Sequence, residues 1–553
     1  MLFGYAAGMV IASYAENFCS STDKVAAHFH EWMTAAGGLY LRSKSPYVAT
    51  LFTTHATVMG RCIAGNRLPL YNDLAKFNAD ELARQFNVTA KHSIEKAAAT
   101  YHDVFLTVSD ITANECKFLL GREVDGVTPN GFENDFVWTG AEYDKRRTEA
   151  RRAMIAVAEA CLGRKYDAEP LIVGTSGRYE FHNKGLDLFL ESLKLLAASG
   201  TLERDVLVYI TVPAANSGPR KDLQAHLADP AQPVDPAQYR FSTHCLERQA
   251  EDPIVRSIEG SILAADDSRV KVIFVPTYLN RADGIFGKDY YELLVGMDVT
   301  VFASYYEPWG YTPLESAAFS VPTVTTPLAG FGLWVDKLPE HEGAVVIRRD
   351  DYNDREAEQG VADALARFAR LDGERLAQVR RSACEISRTA LWERLFSYYE
   401  RAYAAAVENS VSRTNRVVLD DGGTRDQQIN FVRQQLFVEK PNWNRMMVDK
   451  KLPERLHALE ELSRNLWWCW NPGARDLFES IDNELWQECD RNPIAFLDEL
   501  SVVRMKELEK ERINFIYGNE ELGIDGAVKR GVPENIAASL FDEIMDFANY
   551  AFN

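Results

Sequence analysis

Between residues 25 and 350, short runs rich in β-branched and aromatic residues alternate with amphipathic helical stretches. The strand-like runs are VAAHF, YVATLFTTH, DVFLTVS, LIVGTSG, DVLVYITVP, VKVIFVP, VTVFAS, VPTVTT and AVVIRR. The helical stretches between them include ADELARQF, HSIEKAAATYH and KGLDLFLESLKLLAA. Strands that alternate with helices in this way predict parallel sheets covered by helices on both faces. The sequence therefore predicts an α/β fold.

A polar region, residues 140–167, separates two such sets of strands and helices. We therefore expect one Rossmann-like domain over residues 1–140 and a second over 141–375, with ligands at the carboxyl ends of the strands. The rest is predicted to be helical or linker: helices over 376–410, a linker over 411–451, and helical segments over 452–503 and 504–553. Residues 214–252, rich in Pro, Asp and Ala, predict a long surface insertion.

Composition limits the partners and the compartment. A net charge of -20 and a pI of about 5.1 argue against nucleic acid or an anionic membrane surface as the main partner. The eight cysteines include no CxxC motif and no cluster at zinc spacing, so we expect neither a disulfide framework nor a metal site. This cysteine usage fits a protein of the reducing cytoplasm. The first residues, MLFGYAAGMVIASY, lack a basic flank and are too short to span a bilayer, so they predict a buried helix.

The strongest site signal is YYEPWGYTPLES, within residues 299–326. A buried strand leads into a loop, and then Thr312, a good N-cap, and Pro313, suited to the first helical position, predict a helix start. The amide donors and positive end of that helix would face a bound phosphate. Glu307 in the loop and Glu315 in the first helical turn could accept hydrogen bonds from sugar hydroxyls.

The same residues have ordinary structural explanations. Glu315 could form only a capping box with Thr312, and Glu307 could be a solvated loop acid. Trp309 and Tyr311 could be core residues.

A second candidate site is GTSGRYEFHNKG, residues 174–185. A strand ends in a glycine-containing loop, and a helix is predicted to follow near Leu186. Arg178 and Lys184 lie on either side of this loop, and two cations beside a helix N-terminus suit a diphosphate leaving group. The alternative is a basic loop that is only solvated surface.

Three histidines form a third candidate. His28 and His30 alternate at the end of an apolar strand, so we expect one to face each side of the sheet. His55, in FTTHATVMGR, ends the next strand. A lone histidine is usually a satisfied core residue, whereas histidines at two strand ends of one sheet favour a ligand site.

These motifs together resemble one known family. HFHEW, FTTHATVMGR, IEKAAATYHDVFLTVSDIT, TPNGF, GRYEFHNKG and SYYEPWGYTPLES follow one another here as they do in the animal and fungal type of glycogen synthase. The resemblance covers residues 1–410. It implies two Rossmann-like domains of the GT-B type and transfer of glucose from UDP-glucose to the non-reducing end of an α-1,4-glucan. The transfer would retain configuration and need neither a metal nor a cofactor.

The resemblance also implies roles for individual residues. Those implied in catalysis are Glu307, His30, Arg178 and Lys184. Those implied in binding are Glu315, Tyr311, Thr312, Gly310, Asn130 and His55. In this assignment the two cations hold the diphosphate, Glu315 holds the ribose hydroxyls, and Tyr311 and Thr312 lie near the nucleotide. Glu307 and His30 would lie at the glucose and its anomeric carbon. The retention that the resemblance implies, without an obvious nucleophile, suggests front-face attack.

The chain departs from the family pattern at three places. No KxGG-type loop precedes the HFHEW strand, so we expect an N-terminally truncated first domain. The helix at residues 391–403 offers only Arg394 and Arg401 at helical spacing, which does not match the family's glucose 6-phosphate sensor. Residues 452–482 resemble the start of bacterial α-glucan phosphorylases, and the residues after Arg504 resemble a piece of the bacterial DNA polymerase III α subunit.

Several alternatives stay open at this stage. The chain could be a nucleotide- or glucan-binding fragment without turnover, or part of a synthase–phosphorylase fusion. The tail could be a chimeric product or a genuine helical appendage. The donor could be UDP-glucose or ADP-glucose, and homo-oligomer formation is undetermined.

Overall fold

The computed structural model describes residues 2–19, 23–45, 48–235 and 240–419. The predicted segments 452–503 and 504–553, and the predicted linker beyond residue 419, lie outside the described residues. The chain divides into two compact units. Of the described residues, unit 1 contains those within 1–53, 97–105 and 401–419, and unit 2 contains those within 54–96 and 106–400.

Sixteen α-helices lie in the described ranges. Their bounds are α1 Leu2–Phe18, α2 Glu31–Lys44, α3 Val58–Gly65, α4 Ala79–Gln85, α5 Thr89–Tyr101, α6 Asp110–Glu115, α7 Gly140–Leu162, α8 Leu186–Ala198, α9 Lys221–Ala228, α10 Pro253–Ile258, α11 Tyr290–Leu294, α12 Tyr311–Ala318, α13 Gly330–Val335, α14 Asp354–Ala369, α15 Gly373–Thr389 and α16 Trp392–Leu419. No helix in the described part of the chain is both long enough and apolar enough to cross a membrane.

Twelve strands lie in the same ranges. Their bounds are β1 Ala26–His30, β2 Ala49–Thr54, β3 Val104–Thr107, β4 Gly126–Val127, β5 Leu171–Ser176, β6 Val206–Thr211, β7 Asn216–Pro219, β8 His244–Leu246, β9 Val270–Phe274, β10 Val299–Phe302, β11 Thr323–Thr325 and β12 Ala344–Val346. All nine strand-like runs of the sequence form strands.

Two parallel sheets dominate the fold. A four-stranded sheet has the order β1-β2-β3-β4, in which β1 pairs in parallel with β2 and β3 with β4. A six-stranded sheet has the order β12-β11-β10-β5-β6-β9, and every neighbouring pair is parallel. β7 and β8 form a separate antiparallel pair. The predicted α/β class with parallel sheets is therefore confirmed.

The core of unit 2 surrounds the six-stranded sheet. β6 and β9 are buried along their whole length, as expected for strands with helices on both faces. Asp298, one residue before β10, is buried and accepts hydrogen bonds from Arg147 at 2.5 Å, Arg151 at 2.9 Å and the backbone N–H of Ile172 at 2.9 Å. Although burial alone would raise the pKa of this carboxyl, the two arginines hold it below its usual range. The network fixes β5, β10 and α7 to one another.

Three predictions about the ends and the insertion need correction. The first helix is not buried, because only its glycine and alanine face packs on α2. Its bulky apolar side chains are exposed, namely Leu2, Phe3, Tyr5, Met9, Val10, Tyr14 and Phe18. Residues 214–252 are not only surface, since they form β7, α9 and β8 and bury Arg220 and Leu223. α16 continues to Leu419, into the predicted linker.

Candidate functional site at the β5–β10 switch point

The carboxyl ends of β5 and β10 lie side by side in the middle of the six-stranded sheet. The chain leaves β5 towards β6 on one side, whereas β10 lies on the other side, so the strand order reverses here. Ligands of open α/β sheets bind at such switch points, just beyond the strand ends. Two loops meet there, the β5 loop (residues 177–185) and the β10 loop (residues 303–310), and they lead into α8 and α12 respectively.

Backbone contacts lock the two loops together. The carbonyl of Asn183 accepts hydrogen bonds from the backbone N–H groups of Tyr305 and Tyr306, both at 3.0 Å. Gly185 has a φ of 66°, and a Cβ there would lie 1.7 Å from the carbonyl oxygen of Ala303. Only glycine fits this position, because both the backbone conformation and the close approach exclude a side chain. The loops therefore present their side chains in a fixed relation.

Lys184 and Glu307 form an ion pair between the two loops. The lysine Nζ donates to Oε2 of Glu307, and the two side chains are only 16% and 17% exposed. Two predicted site residues, 123 positions apart in the chain, are thus brought into direct contact. A cation and a carboxylate at the same strand edge provide one group for a leaving phosphate and one for a sugar hydroxyl.

Arg178 lies in the same loop as Lys184 but is directed differently. Its guanidinium pairs with Glu180 at 2.9 Å, and 65% of its side chain is exposed. It therefore contacts neither Glu307 nor Lys184 among the described hydrogen bonds and ion pairs of unit 2. For Arg178 to bind the same ligand as Lys184, its guanidinium would have to leave Glu180 and contact that ligand.

The start of α12 differs from the prediction. Thr312 is not the N-cap: the helix begins at Tyr311, and its N-cap is Gly310, with a φ of 104° and no capping side chain. The glycine is needed because the chain turns there through a left-handed conformation. Thr312 and Glu315 consequently form no capping box, so the structural alternative for Glu315 fails. Trp309 is buried, whereas Tyr311 is partly exposed beside the site.

Glu315 is held by a tyrosine that the sequence prediction did not assign. The hydroxyl of Tyr291 donates to Oε1 of Glu315 at 2.9 Å. Burial raises the pKa of Glu315, and the hydrogen bond from Tyr291 partly offsets that rise. Next to it, the hydroxyl of Tyr290 lies 2.7 Å from Oγ of Ser176, the last residue of β5. Tyrosines at the start of a helix with a capping box, DYYELL, are the signal that could have marked α11 as part of the site.

Tyr311 lies on the same helix as Glu315. Burial, with repulsion from Tyr399 and Glu315, raises the pKa of its hydroxyl to about 12. The hydroxyl is therefore protonated at neutral pH and can donate a hydrogen bond.

The histidines of unit 1 correct another prediction. His28 and His30 do not face opposite sides, because residues i and i+2 of a strand point to the same face. Their rings are 4.1 Å apart. His28 Nε2 lies 2.7 Å from the Thr53 hydroxyl, and His30 is the N-cap of α2. Desolvation by its surroundings lowers the pKa of His30, although the side chain reaches solvent.

His55 and Asn130 each follow a strand of the four-stranded sheet. His55 comes directly after β2 and is half-buried, and Asn130 lies three residues after β4 and is buried. Glu95 fixes the loop that carries His55, since it accepts hydrogen bonds from Thr54 at 2.7 Å and from the N–H of Val58 at 2.9 Å. His55 is therefore at a strand end, as expected, and Asn130 also lies beyond the end of a strand.

Two family models match the sequence. The model described as glycogen synthase matches residues 1–223 and 236–462. A model described as a protein of unknown function (DUF3417) matches residues 452–518. Within the described part of the chain, no group of three or more His, Cys, Asp or Glu residues is placed to hold a metal ion.

Curated relatives are named glycogen [starch] synthase. The chain is 28% identical over 482 residues to the protein from Caenorhabditis elegans, with 76% of this chain and 72% of that protein covered. It is 29% identical over 471 residues to the Neurospora crassa protein, with 74% and 66% covered. It is 30% identical over 455 residues to isoform 1 from Saccharomyces cerevisiae, with 69% and 64% covered. The chain thus spans roughly two thirds to three quarters of these relatives' lengths.

Solved structures give a weaker similarity. The catalytic domain of starch synthase IV from Arabidopsis thaliana, bound to ADP and acarbose, has a TM-score of 0.44 at 14% identity, with 73% of this chain and 76% of that chain covered. Sucrose-phosphate synthase from Thermosynechococcus elongatus has a TM-score of 0.39 at 17% identity, with 72% and 77% covered. The family assignment rests on the sequence matches.

Proposed function

This chain belongs to the glycogen synthase family, and we propose that it transfers glucose from UDP-glucose to the non-reducing end of an α-1,4-glucan with retention of configuration. The observation that carries the proposal is the Lys184–Glu307 pair at the β5–β10 switch point. A lysine there can neutralise the diphosphate as it leaves, and the carboxylate can accept a hydrogen bond from the transferred glucose. Membership in the family supplies the substrate class.

The proposed reaction is a front-face displacement. The acceptor hydroxyl approaches the anomeric carbon on the side from which the diphosphate departs. The bond from the anomeric carbon to the phosphate oxygen breaks, the new glycosidic bond forms, and the hydroxyl proton passes to the departing phosphate oxygen. The protein then contributes position and charge stabilisation rather than a nucleophile. The reaction so written needs no cofactor and no metal.

Lys184 must exchange partners in this scheme. In the structure its Nζ is held by Glu307. When the donor binds, we propose that Lys184 turns to the diphosphate and Glu307 accepts a hydroxyl hydrogen bond from the glucose. Arg178, released from Glu180, would add a second cation to the diphosphate.

Glu315 suits the ribose in this proposal. Its Oε1 is already bonded to Tyr291, which leaves Oε2 to accept from a diol. Tyr311, Thr312 and Gly310 at the start of α12 would lie beside the nucleotide. We propose further that His30 acts near the anomeric carbon and that Asn130 and His55 contact the substrate.

The cytoplasm is the proposed compartment, in keeping with the acidic composition and the eight cysteines. ADP-glucose is the alternative donor, the acceptor is a glucan primer, and a homo-oligomer remains a hypothesis. We propose that the tail is a separate element, with residues 452–503 similar to the start of a phosphorylase and 504–553 similar to a polymerase subunit. The second family match, over residues 452–518, supports treating the tail as a separate element.

Radiolabelled UDP-glucose and glycogen test the main proposal. We expect label to enter glycogen with the full chain, and less label with ADP-glucose. A parallel incubation with glycogen and inorganic phosphate should release no glucose 1-phosphate, because the proposed reaction takes its glucose from a sugar nucleotide and not from phosphorolysis of the glucan. Absence of label from a folded chain that still binds UDP in calorimetry would refute transfer and leave only a binding function.

A further inference from the structure

Glu115, the last residue of α6, is a buried carboxyl that reaches two loops at once. It is 1% exposed. Its Oε2 accepts a hydrogen bond from the hydroxyl of Thr57 at 2.7 Å and another from the hydroxyl of Tyr306 at 3.3 Å. The carboxyl fits there because Gly60 has no side chain, since a Cβ at Gly60 would lie 2.1 Å from the same oxygen.

Each of the two hydroxyls belongs to a loop with candidate site residues. Thr57 is the N-cap of α3 and lies two residues after His55. Tyr306 directly precedes Glu307, and its backbone N–H is held by Asn183 in the β5 loop. One buried oxygen therefore links the loop of His55 to the loop of Glu307.

We infer that Glu115 is a positioning residue that fixes Glu307 in the β10 loop relative to the His55 loop through Tyr306 and Thr57. The inference rests on the proposed function, since its consequence is measured as glucosyl transfer. Among the described hydrogen bonds and ion pairs of unit 2, Glu115 contacts Thr57 and Tyr306 but not Lys184 or Glu307, so its effect on transfer is exerted through Tyr306. A π-helical turn, Cys116–Leu120, follows it immediately, and such turns in helices are frequent at functional sites.

The charge of Glu115 decides the strength of both contacts. Burial raises its pKa to about 7, although the hydrogen bonds from Thr57 and Tyr306 and the charge of Arg61 oppose that rise. Hydrogen bonds to an ionised carboxylate are shorter and stronger than those to the neutral acid. Near neutral pH the carboxyl therefore passes from an acid that holds the two hydroxyls weakly to a carboxylate that holds them firmly.

Other titratable groups face this carboxyl from the surrounding elements. They are Arg61 on α3, Tyr71, Cys116 and Tyr306, and Glu95 on α5 acts on the last two. Burial, with the negative charge of Glu115, raises the pKa of Tyr71, Cys116 and Tyr306, so these three remain protonated across the working range. Glu115 itself has a pKa of about 7 and changes charge there.

Glu115→Gln tests the inference because the amide keeps the shape and removes the charge. We expect kcat for transfer from UDP-glucose to fall about 10- to 100-fold, the size expected for a displaced site loop, while KM for the donor changes little. The rise of wild-type kcat with pH through about 7 should disappear in the variant. Tyr306→Phe, which removes only the hydroxyl, should also lower kcat, and the double variant should lose no more than the larger single effect.

Thermal unfolding separates positioning from simple destabilisation. Above pH 7 Glu115→Gln should be at least as stable as the wild type, because it avoids a buried charge. The control is Glu123→Gln, which changes an exposed acid that lies three residues after the π-helical turn and pairs with Lys117. This variant should leave kcat and its pH profile unchanged.

Two results would overturn the inference. One is wild-type kcat and pH profile in both Glu115→Gln and Tyr306→Phe. The other is a loss of activity in Glu115→Gln that follows its melting temperature while Tyr306→Phe is fully active, which would show a structural role alone. If the wild type and Glu123→Gln both fail to transfer glucose, the proposed function fails first and the inference falls with it. If the wild type and Glu123→Gln both transfer glucose, the proposed function stands. Either of the two results above would then contradict only the inference about Glu115.

Discussion

Replacing Lys184 with alanine should separate catalysis from stability. Lys184 and Glu307 are each about one-sixth exposed, so their ion pair is partly screened, and pairs of this kind contribute at most about 1 kcal/mol to folding. The same lysine would stabilise charge that develops on the leaving diphosphate, and a single preorganised donor of that kind contributes about 3–4 kcal/mol to the transition state. We therefore expect kcat/KM to fall about 100- to 1,000-fold and the free energy of unfolding to change by less than about 1 kcal/mol.

The matched control is Lys194→Ala on α8. Lys194 also forms an ion pair, with Glu191 at 2.6 Å, but it lies along the helix and away from the strand ends. Initial rates of label transfer from UDP-glucose to glycogen, with chemical denaturation followed by fluorescence, measure both quantities for both variants. Lys194→Ala should match the wild type in each.

Glu307→Gln should change the affinity for UDP in the direction opposite to that of Lys184→Ala. Glu307 neutralises Lys184 in the structure, so removing that negative charge should free the lysine for phosphate. UDP should then bind about fivefold more tightly to Glu307→Gln, corresponding to about 1 kcal/mol, although transfer falls. UDP should bind more weakly to Lys184→Ala. Either of two results would refute the partner exchange. One is a kcat/KM of Lys184→Ala within threefold of the wild-type value. The other is a UDP affinity that changes in the same direction in both variants.

Three further changes test the framework of the site. Asp298→Asn should lower the free energy of unfolding by about 3–5 kcal/mol in denaturant titration, because two buried arginines lose their partner. Since the folded pKa of Asp298 is depressed, its contribution should persist above about pH 4 and be lost as the pH falls below that value. Gly185→Ala should abolish transfer and lower the melting temperature, because its Cβ would overlap the Ala303 carbonyl. Tyr291→Phe should raise the pKa of Glu315 and raise KM for UDP-glucose about tenfold with little change in melting temperature, since one hydrogen bond to a carboxylate is lost.

Much of the fold could be predicted from local pattern. The β-branched runs form strands because burial on both faces of a parallel sheet selects Val, Ile and Leu at successive positions, as in β6. The start of α8 near Leu186 was also predicted correctly. The start of α12 was not, because Thr312 has the residue type of an N-cap while the actual turn needs the positive φ of Gly310. Local propensity indicated Thr312, whereas the backbone conformation places the cap two residues earlier, at Gly310.

The paired histidines show a different limit. Both lie at the end of β1, as predicted, but the assignment of opposite faces was wrong because the period of a strand is two residues. The close stacking of His28 and His30 follows from that period alone. The spacing of two residues between His28 and His30 was enough to place both on one face of the strand, and the prediction of opposite faces misread that spacing.

The contacts that define the candidate site follow from the order of strands more than from any motif. Lys184 and Glu307 are recognisable as a cation and an acid, yet they meet only because β10 is inserted beside β5 on the side opposite β6. A prediction of parallel strands does not contain that order, since several arrangements satisfy the same hydrophobic pattern. Glu115 is harder still to find, because a glutamate in ITANECKFLL has the sequence signature of a solvated helix face. It is buried since Gly60 leaves room for it and since two hydroxyls from distant loops point to one oxygen. Burying such a carboxyl costs free energy unless hydrogen bonds compensate for the lost water. The two loops that provide those hydrogen bonds carry His55 and Glu307, which is why the activity assay of Glu115→Gln discriminates between a structural and a positioning role.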